Sequence, residues 1–312
     1  MMKKYTLLFL LFASWVTMSS LYPSEPVTAE KIGEKLFFDS ILSDDYTVSC
    51  ASCHIPSFAF ADTVAFSNGV RGRKATRNTP SAMNVASRDA LFWDGRAATL
   101  EEQAIFPIEN VNEMNLPIDE AVKRLRSNSI YRTLFYQVYK QLPNAKNIGL
   151  AIAAYERTLE TFNSPNDRWL NDEPGGLTAQ QERGRALFRV KAKCFECHFS
   201  PDFTVDDFRN IGLFNGNNYN DSGRYLATHQ LADIGKFKVP GLRNVAVTAP
   251  YMHDGSMKTL REVIDYYNEP TKIVPDAIGR DTVLKSLHLT EPEKQDLEAF
   301  LMALTDDQFL KK

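Results

Sequence analysis

Apolar residues in this chain recur mostly at the spacing of an α-helix. In residues 259–268 they fall at positions i, i+3, i+4 and i+7, which predicts one buried helical face made of Leu260, Val263, Ile264 and Tyr267. Tyr266 points away from that face. The alternation of apolar and polar residues that is typical of a half-buried strand is scarce. The pattern predicts a mainly α protein with long irregular connections.

Several helix starts are marked by residues that cap helices. A Thr followed three residues later by Gln or Glu, the spacing of a capping box, predicts helices that begin after Thr99, Thr178 and Thr290. The last of these is expected to reach Leu304. Asn147 stands before the apolar run 148–160 and is predicted to begin another helix. Residues 214–221, rich in Asn and Gly, predict a loop.

An internal repeat suggests two related modules. The phrase Gly-x-x-Leu-Phe occurs at residues 33–37 and again at residues 184–188. Between the two copies, the sequence Asp-Glu-Pro-Gly-Gly at residues 172–176 predicts a break in the structure. We therefore expect a boundary between residues 163 and 176. The predicted domains are 21–165 and 166–312.

Residues 1–20 predict a secretory signal peptide. Lys3 and Lys4 precede an apolar run from Tyr5 to Val16, and this run is too short to span a bilayer comfortably. We expect a mature protein that is periplasmic or otherwise secreted and has no integral membrane segment after signal cleavage. Cleavage lowers the count of Lys and Arg from 36 to 34 against 39 Asp and Glu, a net charge of −5. That balance argues against a nucleic-acid partner.

All four cysteines lie in two motifs of one kind. SCASCH at residues 49–54 and KCFECH at residues 193–198 each contain a Cys pair separated by two residues and followed at once by His. Neither a disulfide framework nor a structural zinc site requires that His. Covalent haem does, because the thiols bond the porphyrin and the imidazole binds the iron. The predicted haem-binding residues are Cys50, Cys53, His54, Cys194, Cys197 and His198.

Further phrases make the chain resemble a known family. RNTPSAMN, FWDGRAATLEEQA, FKVPGLRNVAVTAPYMHDG and TLREVIDYYN occur in this order, and together they resemble the bacterial dihaem cytochrome c peroxidases and the MauG enzymes over about residues 29–304. The resemblance implies two c-type cytochrome domains packed around two covalently bound haems. It also implies that the N-terminal haem reacts with hydrogen peroxide, while the C-terminal haem passes or stores electrons from an electron-donor protein or a protein substrate.

The face of the first haem opposite His54 decides whether peroxide can reach the iron. Many dihaem peroxidases block it with a His from a loop whose position here is Val70, and no His occurs between His54 and His198. Met83 or Met114 could ligate instead, although Met more often serves as core packing. We therefore expect an open first iron.

The resemblance also assigns catalytic residues. Glu113 would move the proton that O–O cleavage requires, and Gln103 would orient the peroxide, with Pro107 nearby. Without the resemblance, both would be interpreted as solvated surface residues. Trp93 matches a tryptophan between the two haems that relays electrons, although a large buried aromatic is the plainer interpretation.

A calcium site between the haems is implied by the resemblance as well. Its ligands would be Asn78 and the backbone carbonyls of Thr248 and Pro250, and such hard oxygen ligands suit Ca²⁺.

The second ligand of the second haem distinguishes two branches of the family. The peroxidases place a Met in the helix after the HDG sequence, whereas MauG places a Tyr, and this chain has Tyr267 there. Met252, Met257 and His253 are alternative ligands, although His253 fits better as a hydrogen-bonding residue between the haems. His229 and His288 are expected on the surface.

A phenolate oxygen favours ferric iron, so a second haem bound by Tyr267 would store a single electron poorly. Tyr267 therefore favours a MauG-like peroxidase. A conventional cytochrome c peroxidase supplied by a small cytochrome or copper protein remains an alternative. A second alternative is a non-catalytic dihaem electron carrier.

Overall fold

The computed structural model describes residues 26–310, and the predicted signal peptide lies outside these residues. Most regular structure is helical, which confirms the mainly α prediction. The helices are α1 Ala29–Phe38, α2 Leu100–Gln103, α3 Phe106–Glu109, α4 Ile118–Ser127, α5 Ser129–Tyr139, α6 Ala145–Glu156, α7 Pro165–Leu170, α8 Ala179–Arg189, α9 Tyr225–Thr228, α10 Leu260–Asn268, α11 Pro270–Ile273, α12 Glu291–Met302 and α13 Asp307–Leu310. Within residues 26–310, no helix combines the length and the apolar character needed to cross a membrane.

One short antiparallel ribbon joins β1 (Phe208–Arg209) to β2 (Phe237–Lys238), with Phe208 opposite Lys238. Short 3₁₀ helices interrupt the long connections, and two of them hold the first three residues of the Cys-x-x-Cys-His motifs, at Cys50–Ser52 and Cys194–Glu196.

The Gly-x-x-Leu-Phe repeat has a structural reason. A Cβ added to Gly33 would lie 1.9 Å from the Ala151 carbonyl oxygen on α6, and one added to Gly184 would lie 1.9 Å from the Asp296 carbonyl oxygen on α12. Both distances are far below van der Waals contact, so only glycine lets each pair of helices approach so closely. The two modules therefore use the same helix crossing, α1 on α6 and α8 on α12.

Two large apolar cores follow from these crossings. The first contains Ile32, Leu36 and Ile152, and the second contains Phe188, Phe300 and Leu304. The connection that contains α7 contacts the second core through Trp169. The boundary between residues 163 and 176 stays a prediction.

Three of the predicted helix starts are confirmed, whereas the start at Asn147 and the helix end at Leu304 are wrong. The side chains of Thr99, Thr178 and Thr290 each accept a hydrogen bond from the backbone N–H three residues later. Asn147, however, does not begin its helix. Asn144 is the cap of α6, and Asn147 is the third helical residue, whose side chain accepts a hydrogen bond from the Asn144 backbone N–H.

The last long helix ends at Met302 rather than at Leu304, and α13 follows it. Residues 214–221 form the predicted loop.

Candidate active site

The two Cys-x-x-Cys-His motifs have the same local structure. In each, the backbone N–H of the His donates to the carbonyl of the first Cys at 2.9 Å, which places His54 beside Cys50 and His198 beside Cys194. The four thiols form no disulfide. The tight turn holds two thiols and one imidazole within five residues, the set that attachment to a single porphyrin requires.

Both imidazoles are half-buried and oriented by backbone carbonyls. Nδ1 of His54 lies 2.9 Å from the Phe60 carbonyl oxygen, and Nδ1 of His198 lies 2.8 Å from the Phe203 carbonyl oxygen. Burial lowers the pKa of both rings, which favours the neutral form. A neutral ring that donates through Nδ1 leaves Nε2 as a lone-pair donor, the state that binds a metal.

A large cavity adjoins the second motif. Cys194, Cys197 and His198 line one side, and the apolar face of α10 lines another through Ile264 and Tyr267. The cavity provides thiols, an imidazole and mostly apolar walls, and this donor set fits a c-type haem.

Tyr267 faces this cavity, as the helical pattern predicted. It lies among the lining residues with His198, and burial is the main reason that its phenol pKa is raised. Tyr266 points elsewhere and is itself fully buried, with its hydroxyl donating to the Ile211 carbonyl at 2.5 Å. Of the two adjacent tyrosines, Tyr267 therefore lines the cavity and Tyr266 is buried in a neighbouring apolar cluster.

The alternative ligands of the second haem are distributed unevenly. Met252 and His253 line the cavity, whereas Met257 packs with Tyr266 in a separate apolar cluster. His253 is buried, and its ring stacks on Phe237 with centroids 3.7 Å apart. His229 and His288 are exposed, as expected.

Trp93 lies where the two modules meet. Its indole Nε1–H donates to the Asn78 carbonyl at 2.8 Å, and its own carbonyl accepts from the Lys238 backbone N–H at 2.8 Å. It also lines the cavity of the second motif and lies edge-on to His253, with centroids 6.5 Å apart. This residue of the first module therefore contacts the second directly.

The residues of the expected calcium site lie around the same cavity. Asn78 is buried, and its side-chain N–H groups point to the carbonyls of Val64 and Ala65, at 3.2 and 3.4 Å. Within residues 26–310, no hydrogen-bond donor engages the carbonyls of Thr248 and Pro250. The Asn78 amide oxygen and the two carbonyls provide neutral hard-oxygen ligands.

Glu113 approaches the first motif from the loop after α3. Burial raises its carboxyl pKa, while Arg96 and a 2.7 Å hydrogen bond from the Asn110 side chain oppose that rise. Burial also raises the thiol pKa of Cys50 and Cys53, and the negative charge of Glu113 adds to both effects. Glu113 is thus close enough to act electrostatically on the first motif.

The other residues considered for the first haem site either pack in apolar clusters or are half-buried. Val70 is fully buried in the first core, and its backbone N–H donates to the Glu113 carbonyl at 2.8 Å. Met114 belongs to that same core, and Met83 packs against the cluster that contains Phe60. Gln103 ends α2 and is half-buried.

Sequence reasoning missed an ionic contact between the modules. The guanidinium of Arg77 donates to Asp94 at 2.6 Å and to both carboxylate oxygens of Asp221, at 2.7 and 2.9 Å. Arg77 and Asp94 belong to the first module, and Asp221 belongs to the predicted loop of the second. Charged residues 127 and 144 positions apart carry no local signal that they will meet.

Most of the chain is similar to proteins of one known family. The description "di-haem cytochrome c peroxidase" belongs to the family profile that matches residues 28–175. The methylamine utilization protein MauG of Methylorubrum extorquens is 37% identical over 285 residues, which cover 90% of this chain and 80% of that protein. This chain belongs to the dihaem cytochrome c peroxidase family.

Other relatives support that membership. Cytochrome c551 peroxidase of Nitrosomonas europaea is 33% identical over 96% of this chain and 88% of its own length. A solved structure of a MauG-like protein associated with microbial copper homeostasis has a TM-score of 0.81 and 34% identity, covering 91% of each chain. The protein is therefore a haem peroxidase that uses two haems, and the predicted family and enzyme class are confirmed.

Proposed function

We propose that this protein is a MauG-like dihaem peroxidase, which reduces hydrogen peroxide at its first haem site and oxidises an external electron donor such as a protein. Cys50, Cys53 and His54 would hold the first haem, and Cys194, Cys197 and His198 the second. When bound, each haem supplies a redox-active iron. The position of the half-buried Glu113 beside the first motif is the observation that carries the peroxidase assignment.

Glu113 is assigned the proton transfer. O–O cleavage needs a base that removes a proton from one peroxide oxygen and returns it to the other. Burial raises the Glu113 pKa, and the Asn110 side chain donates to one carboxylate oxygen of Glu113 at 2.7 Å. Gln103 is assigned the orientation of the peroxide, and Val70 supplies no imidazole that could ligate the first haem.

Tyr267 supports the MauG-like branch. Its phenol lines the same cavity as His198, and a phenolate ligand would favour the ferric state at the second site. Trp93, which contacts both modules, is assigned the transfer of electrons between them.

A calcium ion held by Asn78, Thr248 and Pro250 would fix the contact between the modules next to Trp93. The apolar run that ends at Val16 supports a periplasmic or secreted location.

Electron paramagnetic resonance of the fully oxidised protein tests the open first site. A high-spin ferric signal that changes on addition of hydrogen peroxide is expected. Two low-spin signals that peroxide leaves unchanged would instead identify a non-catalytic electron carrier.

Peroxide-driven oxidation of ferrocytochrome c tests the branch. Slow turnover is expected for a MauG-like enzyme, whereas rapid turnover would identify a conventional cytochrome c peroxidase.

A further inference from the structure

Glu156, the last residue of α6, is a buried acid that the proposed mechanism does not use. Its side chain is 7% exposed, and its Oε2 atom has no hydrogen-bond partner. Within the described part of the chain, no Lys, Arg or His nitrogen lies within ion-pair distance of its carboxyl. Burying an unpaired carboxylate costs several kcal/mol, so a carboxyl in this position keeps its proton instead.

Among the described residues, no charged group forms an ion pair with the carboxyl of Glu156. Arg157, the next residue, forms a 2.7 Å ion pair with Glu101 of α2, and that pair is partly exposed. Burial raises the pKa of Glu156 to about 8, with Glu101 adding to the rise and Arg157 opposing it. At neutral pH the side chain is therefore a neutral acid that a nearby positive charge could ionise.

The first haem motif lies next to this acid. Cys50 packs against the apolar cluster that contains Ile152 and against the cluster that contains Tyr155, and both residues belong to α6, whose last residue is Glu156. After burial itself, the negative charge of Glu156 is the largest contribution that raises the Cys50 thiol pKa. Cys50 is one of the two thiols that would bond the porphyrin, so Glu156 lies beside the first haem site.

We propose that Glu156 is the redox-linked proton site of the first haem, protonated when the iron is ferrous and more readily ionised when it is ferric. When an external one-electron oxidant such as ferricyanide takes an electron from the reduced protein, the carboxyl O–H bond breaks and the proton goes to solvent. On reduction by the external one-electron donor, the carboxylate takes a proton back. A neutral acid in a low-dielectric site responds in this way because added positive charge nearby stabilises its carboxylate.

This inference rests on the proposed attachment of the first haem to Cys50 and Cys53. Mass spectrometry of the peptide containing residues 50–54 tests that attachment separately. A peptide without haem would refute the proposed function itself, whereas a haem-bearing peptide leaves the proton site to be tested by the measurements below.

Redox titration of the first haem between pH 6 and pH 9 tests the proton site. The holoprotein is titrated with ferricyanide and dithionite, and the first haem is followed by its own paramagnetic signal. In the unmodified protein, the midpoint potential is expected to fall as pH rises. Glu156→Gln should reduce this slope and leave the potential above that of the unmodified protein at pH 9.

Glu101→Gln is the matched control, because it removes a carboxyl from the same neighbourhood that is already ion-paired. Because Glu101 adds to the rise of the Glu156 pKa, this variant should move the sloping region to lower pH and keep its steepness. The same slope in Glu156→Gln and in the unmodified protein would overturn the proposal.

A second readout does not depend on the folding of Glu156→Gln. Redox-difference infrared spectra of the unmodified protein should contain a carboxylic C=O band that is lost on oxidation and shifts in D₂O. The band should persist in Glu113→Gln. Absence of the band, or its loss in Glu113→Gln, would refute the assignment to Glu156.

Discussion

Arg243 forms a buried ion-pair network that joins α7 to the loop after the second haem motif. Its guanidinium donates to both carboxylate oxygens of Asp167, at 2.8 and 3.0 Å, and to Asp202 at 3.0 Å. The side chains of Arg243 and Asp167 are 6% and 9% exposed. Removing one partner of a buried pair leaves the other charge uncompensated, which typically costs about 3–5 kcal/mol. We therefore expect Arg243→Met to destabilise the protein by about that amount.

The chain offers a control with the same geometry on the surface. Arg183 donates to both oxygens of Asp296 at 2.8 and 2.9 Å, but its side chain is 61% exposed. Water screens this pair, so Arg183→Met should cost much less stability than Arg243→Met. Urea denaturation of both variants, followed by far-ultraviolet circular dichroism, measures the difference. Equal losses of stability in the two variants would refute the argument from burial.

Lowering the pH should reduce the difference in stability between the unmodified protein and Arg243→Met. Burial alone would raise the pKa of Asp167, but hydrogen bonds from Arg243 and Ser164 hold it below its usual value. A lowered pKa contributes stability that is present above the unfolded pKa and lost as pH falls through the folded one. The free-energy difference between the unmodified protein and the variant should therefore be largest near pH 7 and smaller near pH 3. A difference that is constant with pH would show that the lost stability came from packing on Phe162 instead.

Three further predictions concern the haem sites and the helix crossing. Tyr267→Phe should change the paramagnetic spectrum of the second haem, whereas Tyr266→Phe should leave that spectrum unchanged and cost about 1 kcal/mol for its lost hydrogen bond. Glu113→Gln should slow the reaction with peroxide by about 10²–10⁴-fold in stopped-flow measurements. Because the base must be ionised, the rate for the unmodified protein should rise with pH through the raised Glu113 pKa, and this rise should be missing in the variant. Gly184→Ala should destabilise the second module by about 1–3 kcal/mol in thermal denaturation, since the added methyl group would overlap the Asp296 carbonyl, and an unchanged midpoint would contradict the close helix crossing.

Much of the fold could be predicted because its signals are local. The capping Thr residues fix helix starts through bonds that span three residues, and the structure shows those bonds at Thr99, Thr178 and Thr290. Such signals have a limit: the sequence predicts a start of α6 at Asn147, whereas Asn144 is the cap in the structure. Two Asn residues at capping-box spacing both carry side chains that can cap, and in the structure Asn144 is the cap while Asn147 is the third helical residue.

The candidate site was predictable only in part. The helical pattern placed Tyr267 on the buried face of α10, and that face does line the cavity of His198. No local pattern could show that Trp93 would contact His253, because 160 positions separate them along the chain. The family resemblance provided the expectation, and the structure provides the contact.

The sequence by itself determined the two Cys-x-x-Cys-His motifs, the repeated glycine that allows each helix crossing, and the mainly α class. These features depend on covalent chemistry and on spacing within a few residues, which the linear order of the chain contains in full. Only the tertiary structure decided that Glu156 would be buried beside Cys50 and that Arg243 would hold Asp167. Burial and charge pairing depend on which distant segments exclude water from a side chain, and that is settled only when the two cores have packed.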